Sequence, residues 1–330
     1  MHLNVFVKKS IEFLRHTWVK YTAGILLLGL ILYEIKHRGT ALSSGNNILE
    51  LVRLLKAEQL VFITLLVVTN WGLEILKWHF LISKIHSVTF WQSCRSVLIG
   101  LSWGIFTPHR IGEYGGRIVL LPAEKRLMGG ALNFVSSLSQ NLIHLILGLI
   151  GFGMIGQGFV QHFSEGFFGF MILLVLALLW MYFNINRMGK ALLKQIKYGS
   201  IIGRWLPEQP ISVGYMESLT VLGLSFLRYL CYMGLFAYLI IIQAPQFYGV
   251  GLLFHIAIIF LLQSGIPLPA GLAVLARIEI SILILSNLGV NVNVIILSSV
   301  LLWILNIGIP SLFGAVFLLP GRKNTINIPN

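Results

Sequence analysis

Apolar residues run through this chain in long blocks, and polar residues interrupt them at only a few places. A membrane-spanning helix needs roughly 20 mostly apolar residues. Six segments meet that requirement and are predicted as helices: 18–36, 59–82, 128–156, 166–184, 217–243 and 293–318. Two further regions are apolar but broken. Residues 94–121 run apolar to Phe106, break at Thr107 and Pro108, and resume through Leu121. Residues 250–289 run apolar to Gln263, break across Gly265, Pro267, Pro269 and Gly271, and resume from Ile280 to Leu285. Proline removes a backbone donor and restricts the residue before it, so a helix ends at each break. Both regions are predicted as re-entrant hairpins of two half-helices, although 250–289 is long enough for two tilted full spans.

The order of these elements repeats. Span, span, hairpin, span over 18–156 is followed by the same order over 166–318. Three spans in the first half place the second half upside down. Inverted repeats whose broken helices meet near the midplane are a transporter design. The expected fold class is therefore an all-α polytopic membrane protein, a single membrane domain over residues 1–330, with about six transmembrane helices and two broken hairpins.

Composition supports the membrane assignment. The chain is 57% hydrophobic and 11% charged, with a mean hydropathy of +0.86, whereas soluble domains carry about 25% charged residues. The net charge of +13 does not indicate nucleic acid, because the basic residues fall in short loops between apolar runs, as the positive-inside rule requires. Arg187, Lys190, Lys194, Lys197 and Arg204 place the loop after the fourth span in the cytoplasm. The loops at 157–165 and 244–249 hold no Lys or Arg and are expected outside. Both termini then fall in the cytoplasm of a cell (inner) membrane protein, with the loop at 37–58 as the exception, since it carries Arg38, Arg53 and Lys56. The N-terminal basic cluster precedes an apolar run without a small-residue cleavage site, so a retained first helix is expected rather than a signal peptide. Residues 186–198 alternate bases and apolars at helical spacing, which fits an amphipathic helix on an anionic leaflet.

All eleven acidic residues are glutamates. The absence of aspartate excludes metal-dependent transferases with an Asp-x-Asp site, aspartyl-phosphate pumps and aspartic proteases. Cys94 and Cys231 lie in or beside apolar runs and are expected as buried free thiols. The nine histidines show no metal-ligand spacing, and no metal or cofactor is expected.

The first break is the densest cluster of candidate chemistry. Thr107 to Arg117 holds a proline, two arginines, a glutamate and three glycines. If a helix restarts after Pro108, then Arg110, Glu113 and Arg117 share one face. Gly112, Gly115 and Gly116 leave the opposite side bare for close backbone approach. Two guanidiniums around one carboxylate keep a positive surplus suited to a phosphate, and the restarted helix aims its leading amides at the same place. The competing reading is a surface loop with ordinary cytoplasmic charges.

Pro108-x-Arg110-x-Gly112-Glu113-x-x-x-Arg117 resembles the signature of the lysylphosphatidylglycerol synthase transmembrane region, a flippase-like membrane family. The Pro267-x-Pro269-Ala-Gly271 break with the later Glu279 is similar to that family's second motif, although alanines at Ala270 and Ala273 replace its usual second glycine and Arg277 precedes the glutamate. The resemblance covers nearly the whole chain but not the aminoacyl-transferase domain of the full synthases. It implies lipid translocation, with the two hairpins lining a cavity, and not lysyl transfer.

Arg228 lies near the middle of the 217–243 run. An arginine at a helix centre costs about 2.5–3.5 kcal/mol on insertion scales, so it should face the interior, with Glu113 or Glu279 as partner. Gln140, Asn141 and His144 form a polar patch within the third full apolar run, expected to face the bundle. His255 and Gln263 read as satisfied interior residues. Glu74 and Lys77, beside Trp71 and Trp78, read as an interfacial pair at a helix end.

The expected function is movement of an anionic phospholipid or a polyprenyl-linked lipid between leaflets. Arg110, Arg117 and Arg228 would hold the phosphate, and Glu113 would orient them or take a proton. Pro108, Gly112, Gln140, His144, Arg277 and Glu279 complete the candidate site. The alternatives are a membrane glycosyl- or acyl-transferase using Glu113 or His109 as base, or a partner of a soluble lipid-modifying enzyme. A homo-oligomer stays open.

Overall fold

The computed structural model describes residues 55–105, 107, 110–155, 165–191, 213–266, 268 and 273–318. Among them the chain is helical, with no strand. Four helices, or five if one bent pair counts as a single span, are long and apolar enough to cross a membrane. The expected span 18–36 lies outside the described residues, as do Pro108, His109, Pro267 and Pro269.

α1 spans Ala57–Ile82, where the run 59–82 is expected. It starts where the Gln59 carboxamide accepts the Lys56 amide at 3.0 Å. α2 spans Phe90–Gly104 and opens on a reciprocal cap: Thr89 Oγ1 accepts the Gln92 amide, and the Gln92 side chain accepts the Thr89 amide. α3, Ile111–Ile118, turns back against it. α4 covers Arg126–Ile155 and α5 covers Glu165–Phe183. The chain then bends by 73° into a short helix, Ile185–Ala191, at the start of the expected amphipathic segment. α6 spans Tyr215–Gln243. α7, Val250–Ser264, and α8, Ala273–Leu285, make the second hairpin. α9, Val292–Trp303, passes through a π-helical turn at Ile304–Gly308 into α10, Ile309–Val316. The expected single span 293–318 is thus one helix with a widened turn ahead of Pro310.

In the first broken region the helices are short and their facing residues are small. A Cβ on Gly116 would stand 2.6 Å from Gly100 Cα, so α2 and α3 touch backbone to backbone. The stems of Glu113 and Arg117 lie over Gly100 and Gly104 of α2. Of the three glycines expected to leave the side opposite the charges bare, Gly112 and Gly116 meet the α2 backbone and Gly115 packs on the Trp103 ring, but the charged face lies against α2 as well. On the other side of α2, a Cβ on Gly314 would collide with the Leu98 carbonyl, and Ser102 Oγ donates to the Ser311 carbonyl at 2.6 Å. Gly148 and Gly151 bring α4 against Leu261 and Phe254 of α7 in the same way.

Three apolar clusters fill the bundle, the smallest around Trp303, Val300 and Val274. Of the two larger ones, the first joins α6, α7, α8 and α9 around Phe236, Phe260 and Leu302, and the second joins α1, α2, α4 and α6 around Trp78, Leu101 and Leu142. Large apolar side chains such as Val61, Leu65, Val68, Leu173 and Leu176 point outward. A soluble surface of that kind would aggregate; a lipid-facing one is in its own solvent. Cys94 and Cys231 are unbridged but only half-buried, which corrects the expectation of buried thiols.

The Gly116 contact gives a direct test. Gly116→Ala should destabilise the folded protein by about 1–3 kcal/mol, because the two hairpin backbones must part. Gly130→Ala, with open space at its Cβ, should not destabilise it. Thermal unfolding in detergent measures both, and equal melting temperatures for the two variants would remove the close-contact account.

Candidate functional site

The tip of the first hairpin is built by its own turn. Thr107 Oγ1 accepts the Gly112 amide at 2.8 Å, and the Arg110 carbonyl accepts the Glu113 amide at 2.9 Å. Two leading amides of α3 are thereby occupied, so they are not free for a ligand as the sequence suggested. Gly112 itself faces the Trp103 carbonyl and not the cavity. Arg110 has φ 57° and ψ 32° and is the one described non-glycine residue with positive φ. Such a conformation stores about 1–3 kcal/mol and persists only where its surroundings enforce it.

Behind that tip is a cavity of about 620 Å³ reached by α1, α3, α4, α6, both sides of the second hairpin and the π-turn. Its centre is the Glu74 carboxylate, 3% exposed. Oε1 accepts from Arg117 Nη2 at 2.5 Å. Oε2 meets Lys77 Nζ at 2.9 Å and Arg228 Nη1 at 3.1 Å. Arg117 also pairs with Glu113, whose second oxygen holds Arg110 at 2.9 Å. The continuous chain of charge therefore reads Arg110, Glu113, Arg117, Glu74, then Lys77 and Arg228. Trp78 and Trp71 lie beneath Arg117 and Arg228 with ring centroids at 5.5 and 5.3 Å.

Polar groups continue outward from this hub. Lys77 donates to Ser225 Oγ at 3.2 Å, and Ser225 and Ser139 share a hydrogen bond of 2.7 Å. Arg228 donates to Gln140 Oε1 at 3.3 Å. Asn70 donates to Asn306 Oδ1 at 2.9 Å, tying α1 to the π-turn. His144 lines the cavity with its ring edge-on to Tyr229, centroids 4.9 Å apart.

Most of the residues singled out in the sequence meet here: Arg110, Glu113, Arg117, Gln140, Asn141, His144, Arg228 and Arg277 all line the cavity. Glu279 does not. It is exposed while Arg277 is buried, because two residues of helix turn the side chain to the opposite face. Two expectations change. Arg228 pairs with Glu74, not with Glu113 or Glu279. Glu74 and Lys77 are not an interfacial pair; they are among the most buried polar residues described. The sequence held one signal for them: Glu74 sits inside an uninterrupted apolar run, the criterion that marked Arg228. The neighbouring tryptophans, common at interfaces, pointed the other way.

Among the described residues no group of three or more His, Cys, Asp or Glu is placed to hold a metal ion. Five cations (Lys77, Arg110, Arg117, Arg228 and Arg277) line the cavity with two carboxylates, Glu74 and Glu113. The surplus is three positive charges. This arrangement suits an anion: guanidiniums offer paired donors to phosphate or carboxylate oxygens.

Comparison with protein-family models, with curated proteins and with solved structures finds no match.

Glu74→Gln should destabilise the protein by about 3–5 kcal/mol, because Lys77, Arg117 and Arg228 would lose their shared counter-charge. Glu113→Gln should cost less, since Arg117 keeps Glu74 and Arg110 is 34% exposed. Thermal unfolding of both variants checks the order; a milder effect at Glu74 would show that it is not the hub.

Proposed function

We propose that the protein moves an anionic or polyprenyl-linked lipid between the leaflets of a cell membrane. One observation carries the reading: a cavity of about 620 Å³ whose lining charges leave a surplus of three positive charges, inside a bundle whose outer surface is apolar. An intramembrane charge surplus is costly unless an anion or water shares it. A lipid phosphate is the anion most available at that depth. Arg110, Arg117 and Arg228 hold the phosphate, while Glu113 orients two of the three. The lipid tails stay among the outward apolar side chains.

The two hairpins support the same reading. We take each as re-entrant and the pair as members of an inverted repeat, whose rocking would open the cavity to one side and then the other. The resemblance of the Pro108–Arg117 segment to the flippase-like family agrees with this assignment, and the left-handed Arg110 sits at the turn that such a motion would bend. The salt bridge between Lys84 and Glu217 joins the end of α1 to the start of α6, on the side that loop charge makes cytoplasmic.

Leaflet exchange of headgroup-labelled lipids in liposomes tests the proposal. Wild-type protein should exchange at least one anionic or polyprenyl lipid, and Arg110→Ala should lower the rate to background with an unchanged melting temperature. Exchange by Arg110→Ala at the wild-type rate would remove the phosphate role. No exchange of any lipid, with a membrane potential and a proton gradient each supplied, would remove the translocator.

A further inference from the structure

Arg277 differs from the other cations of the cavity. Lys77, Arg117 and Arg228 share Glu74, and Arg110 reaches Glu113. Arg277 is 3% exposed, and no carboxylate pairs with it among the described residues. Its Nη1 has no hydrogen-bond partner among them, as is also true of Nε of Arg110, Arg117 and Arg228 and of Arg117 Nη1, so the missing carboxylate and not the orphan nitrogen sets Arg277 apart. What holds it is neutral: Nε donates to Gln263 Oε1 at 2.9 Å, and its guanidinium lies over Tyr232 and Phe260 at 5.5 and 5.8 Å. The Gln263 amide is itself tied to the Ala273 carbonyl at 3.2 Å. These contacts aim the guanidinium without neutralising it. A buried, uncompensated cation carries a large desolvation cost, so the site is complete only with an anion.

Arg277 belongs to the second hairpin, whereas the carboxylate-bridged cations sit on α1, α3 and α6 and the Arg110 turn. The cavity therefore offers two separate cationic stations. A phosphodiester headgroup has about one negative charge, and a phosphate monoester about 1.5–2. One phosphodiester against a surplus of three would leave positive charge buried. Two linked phosphates bring a closer charge match and a second set of oxygens for the guanidinium fork.

We propose that the cavity selects a lipid bearing a diphosphate over one bearing a phosphodiester, with Arg277 supplying the contact that the second phosphate requires. This rests on the lipid-translocation reading but concerns binding, so the two can fail separately.

Isothermal titration of the purified full chain in detergent is the test, with farnesyl diphosphate, farnesyl phosphate and dioctanoyl phosphatidylglycerol as probes. Affinity should fall in that order, with at least about tenfold between first and last. Arg277→Gln should weaken diphosphate binding about tenfold and leave phosphatidylglycerol within about twofold. Arg277→Lys keeps a point charge without the fork and should retain part of the preference; it carries the comparison if the neutral variant fails to fold. Equal affinity for the three probes, or an equal loss for all three in the Arg277 variants, would overturn the proposal. Selective binding without liposome exchange would remove translocation and leave the diphosphate site standing. Liposome exchange together with equal affinity for the three probes would do the reverse.

Discussion

One carboxylate holds the middle of this protein together. Glu74 divides its two oxygens among Arg117, Lys77 and Arg228, and those cations come from α1, α3 and α6. Removing any ion from water is costly, and the cost is recovered only where geometry and extra hydrogen bonds are good. Here part of that support is present: Ser225 on Lys77, Gln140 on Arg228 and Glu113 on Arg117, while Arg117 Nε and Nη1 and Arg228 Nε have no hydrogen-bond partner among the described residues. The network fixes the rotation of three helices about their axes, because each charged residue must point at one place. The hydrophobic effect cannot do that in lipid, where every outward face is equally apolar.

The hairpins then follow from what the network needs. Arg117 reaches Glu74 only if α3 lies close to α2, and the Gly100–Gly116 contact permits that approach. The same turn holds Arg110 in a left-handed conformation beside Glu113. Small residues, a strained arginine and a buried ion chain are thus parts of one construction. On the far wall the second hairpin contributes Arg277, held by an amide and two aromatic rings instead of a carboxylate. The two hairpins differ in charge balance.

The long helices were legible in the sequence. The runs at 59–82, 128–156, 217–243 and 293–318 correspond to helices at Ala57–Ile82, Arg126–Ile155, Tyr215–Gln243 and Val292–Val316. Lipid offers no partner to a backbone amide, so an apolar run of that length has one stable conformation. The breaks at Thr107 and after Gln263 were legible for a related reason, since proline and glycine end helices locally. The face shared by Arg110, Glu113 and Arg117 follows from helical spacing alone, and all three line the cavity.

What the sequence could not decide was which distant groups meet. Glu74 and Lys77, three residues apart beside Trp71 and Trp78, have the same local pattern whether they stand at an interface or at the centre of a bundle. Glu279 carries a motif-like position yet faces outward, because α8 turns its Arg277 face to α6 and α7. Local chain chemistry is written in neighbouring residues, so the sequence by itself determined the helices, their breaks and the charged character of the first hairpin. Ion pairing between Glu74 and Arg117, 43 residues apart, or between Glu74 and Arg228 depends on the rotation and depth of separate helices. Only the tertiary structure set those, because in an apolar solvent the buried charges, and not the apolar stripes, choose how the helices face one another.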